Sequence, residues 1–85
     1  MRIQSTRSFR RDYGRLSANI KTSVNKQLAL LQNNPRHPSI QLKRMHGTSG
    51  IWEAWITRSY RLTLAIVGDI MILRRIGPHD VLREP

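Results

Sequence analysis

Residues 51–76 read IWEAWITRSYRLTLAIVGDIMILRRI. Three runs stand out, IWEAWIT (51–57), YRLTLAIV (60–67) and IMILRRI (70–76), rich in β-branched and aromatic residues. Apolar runs this short, bounded by turn residues, predict strands rather than helices. Gly68-Asp69 joins the second run to the third and is a two-residue hairpin signal. Arg58-Ser59 makes a tight turn between the first and the second. Gly77-Pro78 is expected to end the third strand, because proline has no N–H to give to a ladder. The stretch therefore predicts an antiparallel meander.

Alternation then assigns faces. Leu62, Leu64 and Ile66 share the face that must be the core, so Arg61, Thr63 and Ala65 point the other way. With a three-residue connection, Trp52, Ala54 and Ile56 join the core, and Glu53 and Trp55 share the opposite face with Arg61. A two-residue connection would invert that assignment, since a slip of one residue exchanges the faces.

On the N-terminal side of the meander, IQLKRM (40–45) alternates like a short strand and HGTSG (46–50) is a turn-rich link. RHPS (36–39) reads as a loop, because Pro38 disfavours helical backbone at His37. Upstream the period becomes helical: Phe9, Tyr13, Leu16, Ile20, Val24, Leu28 and Leu31 form one stripe. Gly14 and Ser17-Ala18-Asn19 break it, with Ser17 or Asn19 as an N-cap. The pattern predicts an αα-hairpin over 8–16 and 18–33, stopped by Asn33-Asn34-Pro35. RIQSTRSF (2–9) has strand length, and HDVLREP is a short tail. The order is that of a single α+β domain over 1–85: an N-terminal strand, an αα-hairpin, then a meander. It forms one sheet of four to five strands, with helices on one face and the other face open.

The chain has 85 residues, no cysteine and a net charge of +10. Without cysteine there is neither a disulfide scaffold nor a thiolate metal site, which fits a reducing cytoplasm. MRIQSTRSFRR lacks the apolar segment of a signal peptide. The longest apolar stretch, LTLAIVGDIMIL (62–73), is too short to span a bilayer. The positive charge is carried mainly by arginine, whose planar fork suits phosphate and stacks on bases. A basic domain of this size meets nucleic acid, an acidic protein or an anionic membrane surface, and the arginine content favours nucleic acid.

The face opposite the core gathers the candidate chemistry. Glu53, Trp55 and Arg61 share it, His79 follows the last strand, and Lys43, Arg44 and His46 approach from the 40–46 segment. Arg74 and Arg75 alternate, so at most one of them, taken as Arg75, faces the patch. Such a patch suits RNA cleavage by attack of a ribose 2′-OH on the adjacent phosphate. That reaction needs a base for the 2′-OH, an acid for the departing 5′-oxygen, and cations for charge on phosphorus. Histidine serves as acid or base near neutrality. Arg61 can clamp phosphate bidentately, and Trp55 offers a face for a base. No cofactor or metal is called for, and His37, His46 and His79 lie on three elements without ligand spacing. Against these roles stand plainer ones: Arg61 paired with Glu53, His79 capping the strand end, Trp55 packing on a neighbour, and His37 as loop structure.

The segment NPRHPSIQLKRMHGTSGIWEAWITRSYRLTLAIVGDIMILRRIGPHD, preceded by a strand and a helical hairpin, resembles the RelE/ParE superfamily of bacterial toxins. The resemblance spans nearly the whole chain. Its most specific parts are the NP..HPS loop with LKRM-G, the W-E…SYRL strand pair and the IG-HD ending. It implies a cytoplasmic toxin of a type II toxin–antitoxin pair, held by a partly acidic antitoxin. RelE-type members cut mRNA in the ribosomal A site, which would make ribosome and mRNA the other partners. ParE-type members share the fold and inhibit DNA gyrase without nuclease chemistry; that is the alternative reading. By resemblance, Arg61 matches the arginine that contacts the scissile phosphate, and His79 matches a general acid or base. Glu53 stands near where some members place a base. Lys43 and Arg44 fall in the segment that holds RNA, with His46, Trp55 and Arg75 completing the expected binding set. Many relatives carry a tyrosine close behind the C-terminal catalytic residue, where this chain has Asp80-Val81-Leu82.

Overall fold

The computed structural model describes residues 2–85. Its elements run β1 (Arg2–Ser5), α1 (Arg7–Gly14), α2 (Ala18–Asn33), β2 (Lys43–Arg44), β3 (Ile51–Trp55), β4 (Tyr60–Val67) and β5 (Ile70–Pro78). The five strands form one sheet in the order β1-β5-β4-β3-β2. β2 to β5 are antiparallel neighbours, whereas β1 lies parallel beside β5, so the sheet is mixed.

The helical hairpin falls where the apolar stripe placed it. Thr6 caps α1 by accepting the Phe9 N–H at 3.1 Å, which ends the expected 2–9 strand at Ser5. Ser17 caps α2 by accepting the Ile20 N–H at 3.3 Å. Side-chain oxygens at these positions satisfy donors that the first helical turn leaves unpaired. Phe9, Val24 and Leu31 are buried against Ile40, Ala54, Ile56, Leu62, Leu64, Met71, Leu73 and Ile76. One core therefore lies between the helices and one sheet face.

Three sequence expectations are corrected. The 40–45 strand is only two residues long, because Gln41 sits at φ 47° after a 3-10 turn at Pro38–Ile40. Gly77-Pro78 ends β5 from inside the strand, as its last two residues, rather than following a strand that stops at Ile76. The strand continues through Pro78, which pairs with Tyr60. β1 pairs with β5 only as far as Leu73, so Pro78 lies where β5 has no strand on its other side and its missing N–H costs little. Finally, the face away from the helices is not open along its length. The tail forms a 3-10 turn over His79–Arg83, buries Val81, and ends with the Pro85 carbonyl accepting from Thr63 Oγ1 at 3.2 Å.

A bulge in β5 resolves an apparent conflict in its sequence. Strict alternation puts Leu73 and Ile76 on opposite faces, yet both are buried in the core. Thr63 pairs with Arg75 and Leu64 with Leu73, so Arg74 is the extra residue. One inserted residue shifts the parity of everything beyond it. The Arg74 carbonyl, freed from the ladder, accepts from Thr6 Oγ1 at 2.9 Å.

Candidate functional site

The β3–β4 connection fixes which side chains meet. Ile56 N–H and Thr57 N–H both donate to the Tyr60 carbonyl, at 3.1 and 3.4 Å, leaving a three-residue loop. Trp55 then faces Arg61, and Glu53 faces Thr63. β2 adds Lys43 opposite Glu53. Directly paired residues project from the same face. Lys43, Glu53 and Thr63 therefore make one row across three strands, with Trp55 and Arg61 in the next.

Around this corner lies a cavity of ≈ 250 Å³ lined by Lys43, Arg44, Met45, His46, Glu53 and His79. Five of the eight residues expected from sequence thus line one concavity. Glu53 is only 6% exposed, and its carboxylate lies 3.2 Å from the Lys43 ammonium. The plainer expectation for Glu53, pairing with Arg61, is not what forms: the partner is Lys43. His46 and His79 are exposed at the rim. His79 is positioned through its backbone, whose N–H donates to the Ser59 carbonyl at 3.0 Å. Arg44 lines the cavity at its edge, with its guanidinium 5.7 Å over the Trp52 ring.

Arg61 is more deeply engaged than a strand-face arginine need be. It is 6% exposed, and its guanidinium carbon lies 3.7 Å from the centre of the Trp55 ring. Its Nη1 donates to the carbonyls of Thr57, Arg58 and Tyr60 at 2.8, 2.8 and 3.1 Å. A buried cation needs such compensation, and the ring face and the carbonyls supply it. Arg61 and Trp55 therefore hold the β3–β4 loop in shape. Only the rest of the guanidinium fork is left for an external anion.

Arg75 is not brought to the cavity. Its Nε donates to Asp12 of α1 at 2.7 Å, and its Nη1 to the Glu84 carbonyl at 3.2 Å. Asp12, 8% exposed, also accepts the Ile76 N–H at 3.2 Å. The carboxylate thus takes the place of a strand along β5 beyond the end of β1. Burial alone would raise the Asp12 pKa. The Arg75 and Ile76 hydrogen bonds and the charges of Arg75 and Arg11 outweigh it and hold the carboxyl below its ordinary value.

Two structural polar residues escaped the sequence reading. Asp12 stands three residues after Phe9 on the apolar stripe, and Gln27 stands between Val24 and Leu31 on the same stripe. A polar residue inside such a stripe signals a buried hydrogen-bonding anchor. Gln27 Nε2 donates to the carbonyls of Trp55 at 2.9 Å and Ser39 at 3.3 Å, tying α2 to the end of β3.

Among the described residues, no cluster of three His, Asp or Glu side chains is close enough to hold a metal ion. None of the described helices is long and apolar enough to cross a membrane. No family model matches the chain. No curated protein matches it in sequence either. Solved structures do match in shape. YafQ from E. coli strain BL21(DE3) superposes with a TM-score of 0.80 at 17% identity, covering 96% of this chain and 98% of that one. A copper-bound mutant toxin from Helicobacter pylori gives 0.79 at 24%, covering 96% and 98%. A chain of the RelB–RelE antitoxin–toxin complex from Methanococcus jannaschii gives 0.77 at 16%, covering 95% of each chain. Over nearly its whole length, this chain shares the fold of these solved structures.

Proposed function

We propose that the protein is the toxin of a type II toxin–antitoxin pair and cleaves mRNA on the ribosome. The observation that carries the reading is the grouping of Glu53, Lys43, His46 and His79 around one small cavity beside the Trp55–Arg61 stack. In the proposed reaction the Glu53 carboxylate takes the proton of a ribose 2′-OH. The 2′-oxygen bonds to the adjacent phosphorus, the bond from phosphorus to the 5′-oxygen breaks, and the His79 imidazolium gives that oxygen a proton. The products are a 2′,3′-cyclic phosphate and a free 5′-OH. Lys43 and the free edge of Arg61 offset the charge that grows on the phosphoryl oxygens. Lys43, His46 and Trp55 line or flank the path of the RNA. Arg44 and Arg75, held over Trp52 and by Asp12, contribute positive field rather than direct contact.

The solved relatives include RelB–RelE and DinJ–YafQ complexes, which supports an antitoxin as the partner here too. With a chain charge of +10, that partner is expected to be acidic where it docks.

Primer extension on mRNA in a cell-free translation reaction tests the reading. Cuts inside translated codons are expected with the wild-type protein and lost with Glu53→Gln and with His79→Gln. Intact mRNA with wild-type protein would refute it and direct the next assay to inhibition of gyrase supercoiling.

A further inference from the structure

A second cleft is bordered by Trp55 and shares no lining residue with the first. It measures ≈ 270 Å³ and is built where α2 meets the β3–β4 loop. Lys26 and Ser23 reach it from α2, Ser39 from the 3-10 turn, and Trp55, Thr57 and Arg58 from β3 and the loop. None of the five carboxylate side chains of the protein lines it. The ion pairs among the described residues are Lys43–Glu53 and Arg75–Asp12, so neither Lys26 nor Arg58 is neutralised by an acid.

Its hydroxyl chemistry points the same way. Thr57 Oγ1 accepts the N–H groups of Ser59 at 3.3 Å and Tyr60 at 3.2 Å. Both bonds use the oxygen as acceptor, so its own proton is available to a ligand acceptor. The walls are also fixed. Gln27, 7% exposed, bridges the Trp55 and Ser39 carbonyls from below. Arg61 pins the carbonyls of Thr57 and Arg58, the two loop residues that line the cleft. A small, rigid, donor-lined and acid-free concavity suits a phosphate and is smaller than the usual site for a whole small-molecule ligand.

We propose that this cleft is a phosphate subsite for single-stranded RNA. It would hold a backbone phosphate flanking the scissile one, with Lys26 and Arg58 as the cations and Thr57 as a neutral donor. The assignment rests on the nuclease reading for its choice of ligand. It extends the RNA path over the Trp55–Arg61 stack to the helical side of the sheet.

The test uses the full chain and a fluorescein-labelled 2′-O-methyl oligoribonucleotide, which cannot be cleaved by 2′-OH attack. Anisotropy gives the affinity at salt concentrations from about 50 to 200 mM. Each cation that neutralises a phosphate on a single strand contributes about 0.7 to the slope of log affinity against log salt. Lys26→Gln and Arg58→Gln are each expected to lower the slope by about 0.7, and the double variant by about 1.4. Arg36→Gln, an exposed cation outside the cleft, is expected to leave it unchanged. Equal slopes in all variants, an equal loss in Arg36→Gln, or no salt-dependent binding by the wild type would each overturn the proposal. So would a saturable change in tryptophan fluorescence with inorganic phosphate that leaves RNA affinity untouched, because the ligand would then be the free ion. If the slope changes hold while wild-type protein leaves translated mRNA intact, the subsite stands and the nuclease reading fails. If mRNA is cut and the slopes do not move, the subsite fails alone.

Discussion

Replacing Asp12 with alanine removes one carboxylate from three jobs. It takes away the charge-assisted bond to Arg75 Nε at 2.7 Å and the longer one to Nη2 at 3.4 Å. It also leaves the Ile76 N–H, in a residue only 2% exposed, without its acceptor. An unpaired buried N–H costs about 1–3 kcal/mol, and a hydrogen bond to a charged group contributes about 1.5–3 kcal/mol. The Arg75 side chain is 28% exposed and keeps the Glu84 carbonyl, so its charge is partly rehydrated and the sum is discounted. The expected loss is roughly 2–4 kcal/mol. For a domain of this size that lowers Tm by about 10–25 °C. Asp12→Asn keeps an acceptor for the Ile76 N–H and is expected to cost only about half as much. Thermal unfolding followed by circular dichroism at pH 7 reads both. The effect also has a sign with pH. The folded-state pKa of Asp12 is depressed, so its contribution is complete above the ordinary value of 3.8 and is lost as pH falls through the lower folded value. The gap between wild type and Asp12→Ala is therefore expected to close as pH falls below 3.8 and through the lower folded value. A gap below about 0.5 kcal/mol at pH 7, the size of an ordinary surface change, would refute the anchoring role.

Gln27→Ala strips the donor from the Trp55 and Ser39 carbonyls and is expected to cost about 1–3 kcal/mol in chemical unfolding. Leu64 is fully buried under the helices, so Leu64→Ala is expected to cost about 2–5 kcal/mol by the same measurement. Gly68 turns the β4–β5 hairpin at φ +61° with nothing near its missing Cβ, so Gly68→Ala is expected to lose about 1–2 kcal/mol from backbone strain rather than from a clash. His79 is exposed, so His79→Gln is expected to melt within about 0.5 kcal/mol of wild type while losing mRNA cleavage, which separates chemistry from folding.

Much of the meander could be read in the sequence because a strand's faces follow from its own alternation. Leu62 and Leu64 were placed in the core, and Glu53, Trp55 and Arg61 on the opposite face, from a period of two and a three-residue loop. The helical hairpin and its Ser17 cap followed from a period of 3.6 and a side-chain oxygen at the break. Parity also explains a failure. The bulge at Arg74 depends on which of β5's carbonyls β4 and Thr6 can satisfy, and nothing in LRRI announces that choice. Sequence alone offers Arg75 as an RNA contact because its partner, Asp12, lies 63 residues away in the chain. Sequence alone leaves Arg61 a free clamp because its burial depends on how the β3–β4 loop closes around it.

The two long helices, the meander strands, the core faces of β3 and β4 and a charge of +10 follow from propensity, periodicity and composition, which are properties of neighbouring residues. The parallel docking of β1 on β5, the tail laid over Thr63 and the cations engaged inside the fold emerge only in three dimensions. Those features rest on contacts between residues far apart in the chain. Their energies appear only once loop closure has brought the partners together and water has been excluded from between them.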